Sequence, residues 1–126
     1  QAIRSQDYAT MTLLPSSAQA DDPTVVTLET RFDPYGQLLQ RAEVTLNLHR
    51  LWEYVTHQPD QEWRLREVPP NKIRLTRRQL TSQPVTLRVE LRPNSAQSAE
   101  PRLLSASAEA KGFHKPIEAA FHYPPE

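Results

Sequence analysis

Three observations predict an all-β fold, an antiparallel two-sheet sandwich of immunoglobulin-like type with seven or eight strands. Apolar and polar residues alternate with the two-residue period of half-buried strands, most regularly where Val85, Leu87, Val89 and Leu91 interleave with Thr86, Arg88, Glu90 and Arg92. Twelve prolines against two glycines leave little uninterrupted chain for long helices, because proline has no amide proton to give to a helix interior. The apolar runs recur at spacings of about 10 to 15 residues, as in a sandwich of short strands. With 126 residues, 37% of them hydrophobic, the chain can close one modest core and is too apolar to stay disordered.

The expected domain spans residues 8–123, between a flexible tail at 1–7 and a short one at 124–126 that opens on Pro124-Pro125. Met11 and Leu13 against Thr10 and Thr12 mark the first strand, and residues 15–23 a loop. Val26, Leu28, Thr30 and Phe32 then share one face, as do Ala42, Val44, Leu46 and Leu48, whose parity runs on to Trp52 and Tyr54. Between them stands Asp33-Pro34-Tyr35-Gly36: the aspartate can accept from the backbone ahead, proline presets φ, and glycine tolerates a left-handed conformation. Thr24 to Tyr54 therefore reads as a long hairpin closed by a type I turn with a bulge. Leu48, Leu51, Trp52 and Val55 also have helical spacing, so residues 49–56 admit a short helix, with strand preferred.

After a turn at 57–61, Trp63 and Leu65 oppose Arg64 and Arg66, which sets Trp63 across a hairpin from Trp52 or Tyr54. Ile73 and Leu75 mark the next strand, and Val85 to Arg92 a central one. Leu104, Ala106, Ala108 and Ala110 share a face of small residues, and Ile117, Ala119, Phe121 and Tyr123 close the fold. Residues 15–23 and 93–101 have equal length, are bounded by prolines and repeat Ser-Ala-Gln at the same offsets. A shift of 78 residues also places Met11 on Val89 and Leu13 on Leu91, which suggests two pseudo-repeated three-stranded units packed face to face.

Two glycines cannot supply a phosphate loop, a dinucleotide fingerprint or a nucleophile elbow. The absence of cysteine removes disulfides, thiol catalysis and thiolate metal sites. His49 and His57, like His114 and His122, are eight residues apart, or about 26 Å along a strand, too far to share an ion. Only strands from the two pairs brought together with Glu53 or Glu118 would make a metal site. The acidic stretches at 20–23 and 99–101 lack the alternating ligand spacing of a calcium loop. No catalytic, cofactor-binding or metal residue is assigned, and no enzyme is expected.

Fifteen basic and fifteen acidic residues cancel, yet the segment 64–92 carries a net charge of plus six. Arg64, Arg66, Lys72, Arg74, Arg78, Arg88 and Arg92 are candidate polyanion-binding residues on one basic sheet face, since the guanidinium fork suits phosphate, sulfate and carboxylate. The alternative is a set of ordinary outward charges neutralised by cross-strand Glu67 and Glu90 together with the acidic loops. Nucleic acid is disfavoured by the neutral total charge. Trp52, Tyr54 and Trp63 form a candidate aromatic platform for carbohydrate, or the aromatic corner of a core.

The function expected is a non-enzymatic interaction or structural module without cofactor, binding a protein partner through loops or a sheet edge. A polyanion-binding domain and a carbohydrate-binding module, taking polysaccharide, are the alternatives. No run reaches the roughly 18 apolar residues of a membrane span. A chain starting at Gln1 favours a periplasmic, envelope-associated or secreted setting over a cytoplasmic one.

Overall fold

The structure, a computed structural model, describes residues 2–6, 8–14, 24–94, 102–113 and 115–123. Its first five strands are β1 (Ala2–Gln6), β2 (Ala9–Leu14), β3 (Val26–Phe32), β4 (Ala42–Asn47) and β5 (Trp52–Gln58). The other five are β6 (Arg64–Val68), β7 (Lys72–Arg77), β8 (Val85–Pro93), β9 (Arg102–Ala110) and β10 (Ile117–Tyr123). They form two antiparallel five-stranded sheets, ordered β1-β2-β3-β8-β5 and β10-β9-β4-β7-β6. This is the immunoglobulin-like sandwich that the alternation predicts, with no helix among the described residues.

The inner faces follow from parity. Val26, Leu28 and Phe32 on β3 and Val85, Leu87, Val89 and Leu91 on β8 are buried against Val44 and Leu46 on β4 and Leu104 on β9. Removing each such side chain from water is worth about 1.5–3 kcal/mol before conformational entropy is subtracted. Ala106, Ala108 and Ala110 on β9 are buried as well, and their short side chains leave room for the larger ones opposite. Tyr8 ties the layers together: its hydroxyl donates to the carbonyl of Lys115 at 2.8 Å, and its ring stacks on Phe113 at 4.7 Å.

Several expectations need correction. The turn at Asp33 to Gly36 forms, with the Tyr35 amide donating to Asp33 Oδ1 at 2.9 Å and the Gln37 amide to the Pro34 carbonyl at 2.9 Å. It does not close a hairpin, because β3 and β4 lie in different sheets. Residues 33–41 instead form a corner, pinned where Leu39, fully buried, exchanges backbone hydrogen bonds with Thr81 at 2.7 and 3.2 Å. Alternation is the same for two strands of one sheet and for two that face each other across a core, so it could not tell them apart.

The apparent long strand from Ala42 to Tyr54 is two. β4 ends at Asn47, whose side chain accepts from the His49 amide at 3.0 Å, and His49 and Arg50 take positive φ of 52° and 60°. The chain then re-enters the opposite sheet as β5, so residues 49–56 hold a turn and a strand and no helix. This split, together with β1 built from residues expected in the N-terminal tail, turns eight strands into ten. Trp63 does not face Trp52 in a hairpin, because β5 and β6 also belong to different sheets.

The two halves are not structural repeats. β2 and β3 are neighbours in one sheet, whereas β8 and β9, their counterparts at the 78-residue shift, lie in opposite sheets. The proline-bounded loops that suggested the repeat fall, apart from Pro93 and Asn94, outside the described residues.

Candidate interaction surface

The outer face of the second sheet gathers most of the predicted basic residues. Burial of Ile73 and Leu75 turns Lys72, Arg74 and Thr76 outward on β7, and burial of Val44 and Leu46 does the same for Glu43, Thr45 and Asn47 on β4. The register sets Arg64 of β6 opposite Thr76, Arg66 opposite Arg74, and Arg74 opposite Thr45. Further along, Glu109 of β9 stands opposite Glu43, Ser107 opposite Thr45 and Ser105 opposite Asn47.

Two hollows result. At the basic end one of about 880 Å³ is lined by Arg41, Glu43, Glu62, Arg64, Arg66, Arg74, Thr76 and Arg78. In the middle of the sheet a shallower one of about 490 Å³ is floored by short side chains, Thr45, Ser105, Ser107 and Ala120, between Lys72 and Glu118.

Charge at the basic end is only partly compensated. Arg74 Nε lies 3.5 Å from Glu43 Oε1 and donates to Thr45 Oγ1 at 3.3 Å, while Thr76 Oγ1 donates to Glu43 Oε2 at 3.4 Å. Arg77, buried by its inward parity, is satisfied by Glu62 Oε1 at 3.3 Å and the Gln79 carbonyl at 2.7 Å. The Glu109 carboxyl is held above the ordinary range, first by its hydrogen bond with the Glu43 carboxylate, then by burial and by the charge of Glu43. Arg41 and Arg74 pull it the other way. Arg64, Arg66 and Arg78 are exposed and form no ion pair among the described residues.

Of the seven candidate cations, Arg64, Arg66, Lys72 and Arg74 share this face, and Arg78 lines its basic hollow. Arg88 and Arg92 belong to β8 in the other sheet, where Arg88 Nε meets Glu29 Oε2 at 2.9 Å and Arg92 Nη1 lies 3.9 Å from Glu53 Oε2. Glu90 is on β8 too, and Glu67 has the opposite parity to Arg66 on β6, so neither neutralises this face as expected. Arg41, Glu43 and Glu109 were missed because β4 and β9 had first to be placed beside β7. Their only signal was outward parity.

The aromatic trio shares no surface. Trp52, 3% exposed, donates from Nε1 to the Leu103 carbonyl at 3.2 Å and meets Tyr123 edge-on at 5.8 Å. Trp63, 1% exposed, stacks on Phe32 at 6.0 Å, and Tyr54 hydrogen-bonds His57 Nδ1 through its hydroxyl. Neither buried indole offers a sugar a stacking face. His49 Nε2 pairs with Ser105 Oγ at 3.0 Å, His57 Nε2 with the Trp63 carbonyl at 3.1 Å, and His122 is exposed. His114 and the acidic stretches at 20–23 and 99–101 lie outside the described residues. Among the described residues no three His, Asp or Glu side chains are grouped as a metal would require, and no helix is long and apolar enough to cross a membrane.

No family model matches the sequence, and no curated protein matches it. Solved structures do share the immunoglobulin-like fold. The chain named BspA_C_WT superposes with a TM-score of 0.55 at 8% identity, over 93% of this chain and 49% of that one. This chain therefore spans about half the length of that structure. ACE19, the collagen binding subdomain of the Enterococcus faecalis surface protein ACE, superposes with a TM-score of 0.52 at 8% identity, over 94% of this chain and 96% of that one. At such identity the likeness is one of fold.

Proposed function

We propose that this chain is a non-enzymatic binding module of an exported or cell-surface protein, and that it engages a protein partner through the β6 edge and the adjoining outer face of the second sheet. The observation that carries this reading is β6 itself. Arg64, Leu65, Arg66 and Glu67 are all exposed and Val68 is half-buried, so the strand projects beyond the sandwich with both faces in water. Support from outside the chain comes from ACE19, which uses a sandwich of this fold as a collagen binding subdomain of a surface protein.

Binding to a panel of immobilised extracellular proteins, collagen among them, tests the reading with Leu65→Glu and Gln83→Glu variants alongside. A partner bound by the native chain and by Gln83→Glu, and lost by about tenfold or more in Leu65→Glu, is the expected result. Unchanged binding in Leu65→Glu would place the contact elsewhere and overturn it.

A second reading, polyanion binding, is favoured by one observation, the convergence of Arg64, Arg66, Arg74 and Arg78 on a single hollow. It predicts retention on a sulfated polysaccharide column that weakens steeply with salt and is lost in an Arg64→Glu, Arg66→Glu, Arg78→Glu variant. Flow-through at low salt would remove this reading.

A further inference from the structure

We infer that β6 is a docking edge for an extended acidic segment of a partner protein, one whose residues alternate acidic, apolar, acidic and which adds to the second sheet as a further antiparallel strand. The inference deepens the proposed protein-binding reading and rests on it.

The backbone provides the first half of the site. β6 pairs with β7 on one side, and no other backbone hydrogen bond among the described residues reaches it, so its outer row of amide and carbonyl groups is open to a new strand. Side chains provide the second half. Arg64 and Arg66 point to one face about 7 Å apart, and Leu65 points to the other, 38% exposed despite lying beside the fully buried Leu75. An added strand sets its own residues directly across from these, within the roughly 5 Å at which cross-strand pairs interact. Carboxylates opposite Arg64 and Arg66, with an apolar residue opposite Leu65, satisfy all three positions. Antiparallel order also places a residue opposite Glu67, where lysine fits.

Charge decides the occupant. Edge strands commonly carry charge to block pairing, and this edge opposes pairing with itself in the register centred on Leu65. A second copy of β6 aligned antiparallel about Leu65 would put Arg64 against Arg66 twice, with like charges directly opposite. The two carboxylates that line the same hollow do not relieve that repulsion, because Glu43 is engaged by Arg74 and Glu62 by Arg77. An acidic strand meets the reverse situation, two arginines without carboxylate partners among the described residues and a ready backbone edge. Pro69 and Pro70 end β6, so a segment of about five residues fills the site.

The test uses the whole chain and synthetic peptides read by fluorescence anisotropy. The probe carries the core Lys-Glu-Val-Glu. A second peptide has the same composition with the glutamates adjacent, a third has proline for the central valine, and a fourth replaces both glutamates by lysine. The ordered peptide should bind at least about tenfold more tightly than the adjacent-glutamate or proline forms, because those lose register or the backbone bond. A variant with Arg64→Glu and Arg66→Glu, checked for an unchanged melting temperature, should reject the ordered peptide and accept the lysine one.

Equal binding of the ordered and adjacent-glutamate peptides, or displacement of both by a sulfated polysaccharide at lower concentration, would overturn the inference in favour of plain polyanion binding. Failure of every peptide would overturn it as well. The Leu65→Glu result on the protein panel then distinguishes the two failures: a partner still lost there leaves the protein-binding reading standing without the acidic strand.

Discussion

Glu43 and Glu109 show how a single cross-strand pair can cost stability on a face that is otherwise well patterned. They stand directly opposite on β4 and β9, and the Glu109 carboxyl is raised above its ordinary value near 4.5 chiefly by the hydrogen bond with Glu43. The folded protein therefore holds this proton more tightly than the unfolded chain does. Stability falls as pH rises from the ordinary glutamate value through the raised one, and the whole cost is present above that interval. Both groups are partly exposed, so solvent screens the repulsion and the cost is a few tenths of a kcal/mol, up to about 1. Glu109→Gln should melt higher than the native chain at pH 7, and the gain should vanish near pH 4. A melting difference that is flat across that range would show that the pair shares no proton in solution.

At the scale of elements, the corners decide what the strands become. Gly36, at φ 81°, has open space where a side chain would go, so Gly36→Ala meets backbone strain alone. It should cost about 1 kcal/mol in urea unfolding. Arg50, at φ 60°, bears the same strain as a non-glycine residue. Arg50→Gly should be neutral or stabilising by up to about 1 kcal/mol, less the loss of the Arg50 Nε hydrogen bond to Asn71 Oδ1 at 3.2 Å. If Arg50→Gly destabilised as much as Gly36→Ala, the left-handed geometry at Arg50 would be excluded as a source of strain. The two corners also separate what was legible from what was not. Asp33-Pro34-Tyr35-Gly36 could be read as a turn from residue chemistry alone. The bend at Leu48 to Leu51 carries no proline or glycine, and its apolar spacing imitates both a continuing strand and a helix. Inward and outward residues of β4 and β8 were legible because parity depends only on the strand, whereas the sheet each strand joins depends on corners.

For the molecule as a whole, those corners weave the two sheets into one unit. The chain changes sheet after β3, β4, β5, β7 and β8, so neither sheet can be assembled from one continuous stretch. This weaving also explains the partial reading of the basic face. Arg64, Arg66, Lys72 and Arg74 lie on two strands joined in one sheet, with Arg78 just past the end of β7, while the change of sheet before β8 carries Arg88 and Arg92 to the far side. It has a consequence for stability, since loss of either sheet strips the inner face of the other and exposes its buried leucines and valines to water. Unfolding should therefore be two-state. The tryptophans report on different places: Trp63 touches Phe32 of β3, and Trp52 touches Leu103 of β9 and Tyr123 of β10. In Trp52→Phe and in Trp63→Phe, the urea midpoint from the remaining indole fluorescence should coincide with that from far-ultraviolet circular dichroism, although each variant is less stable than the native chain. Separate midpoints within one variant would mean that one side of the sandwich can open while the other stays folded, and the coupling imposed by the five changes of sheet would then be weaker than the packing within each sheet.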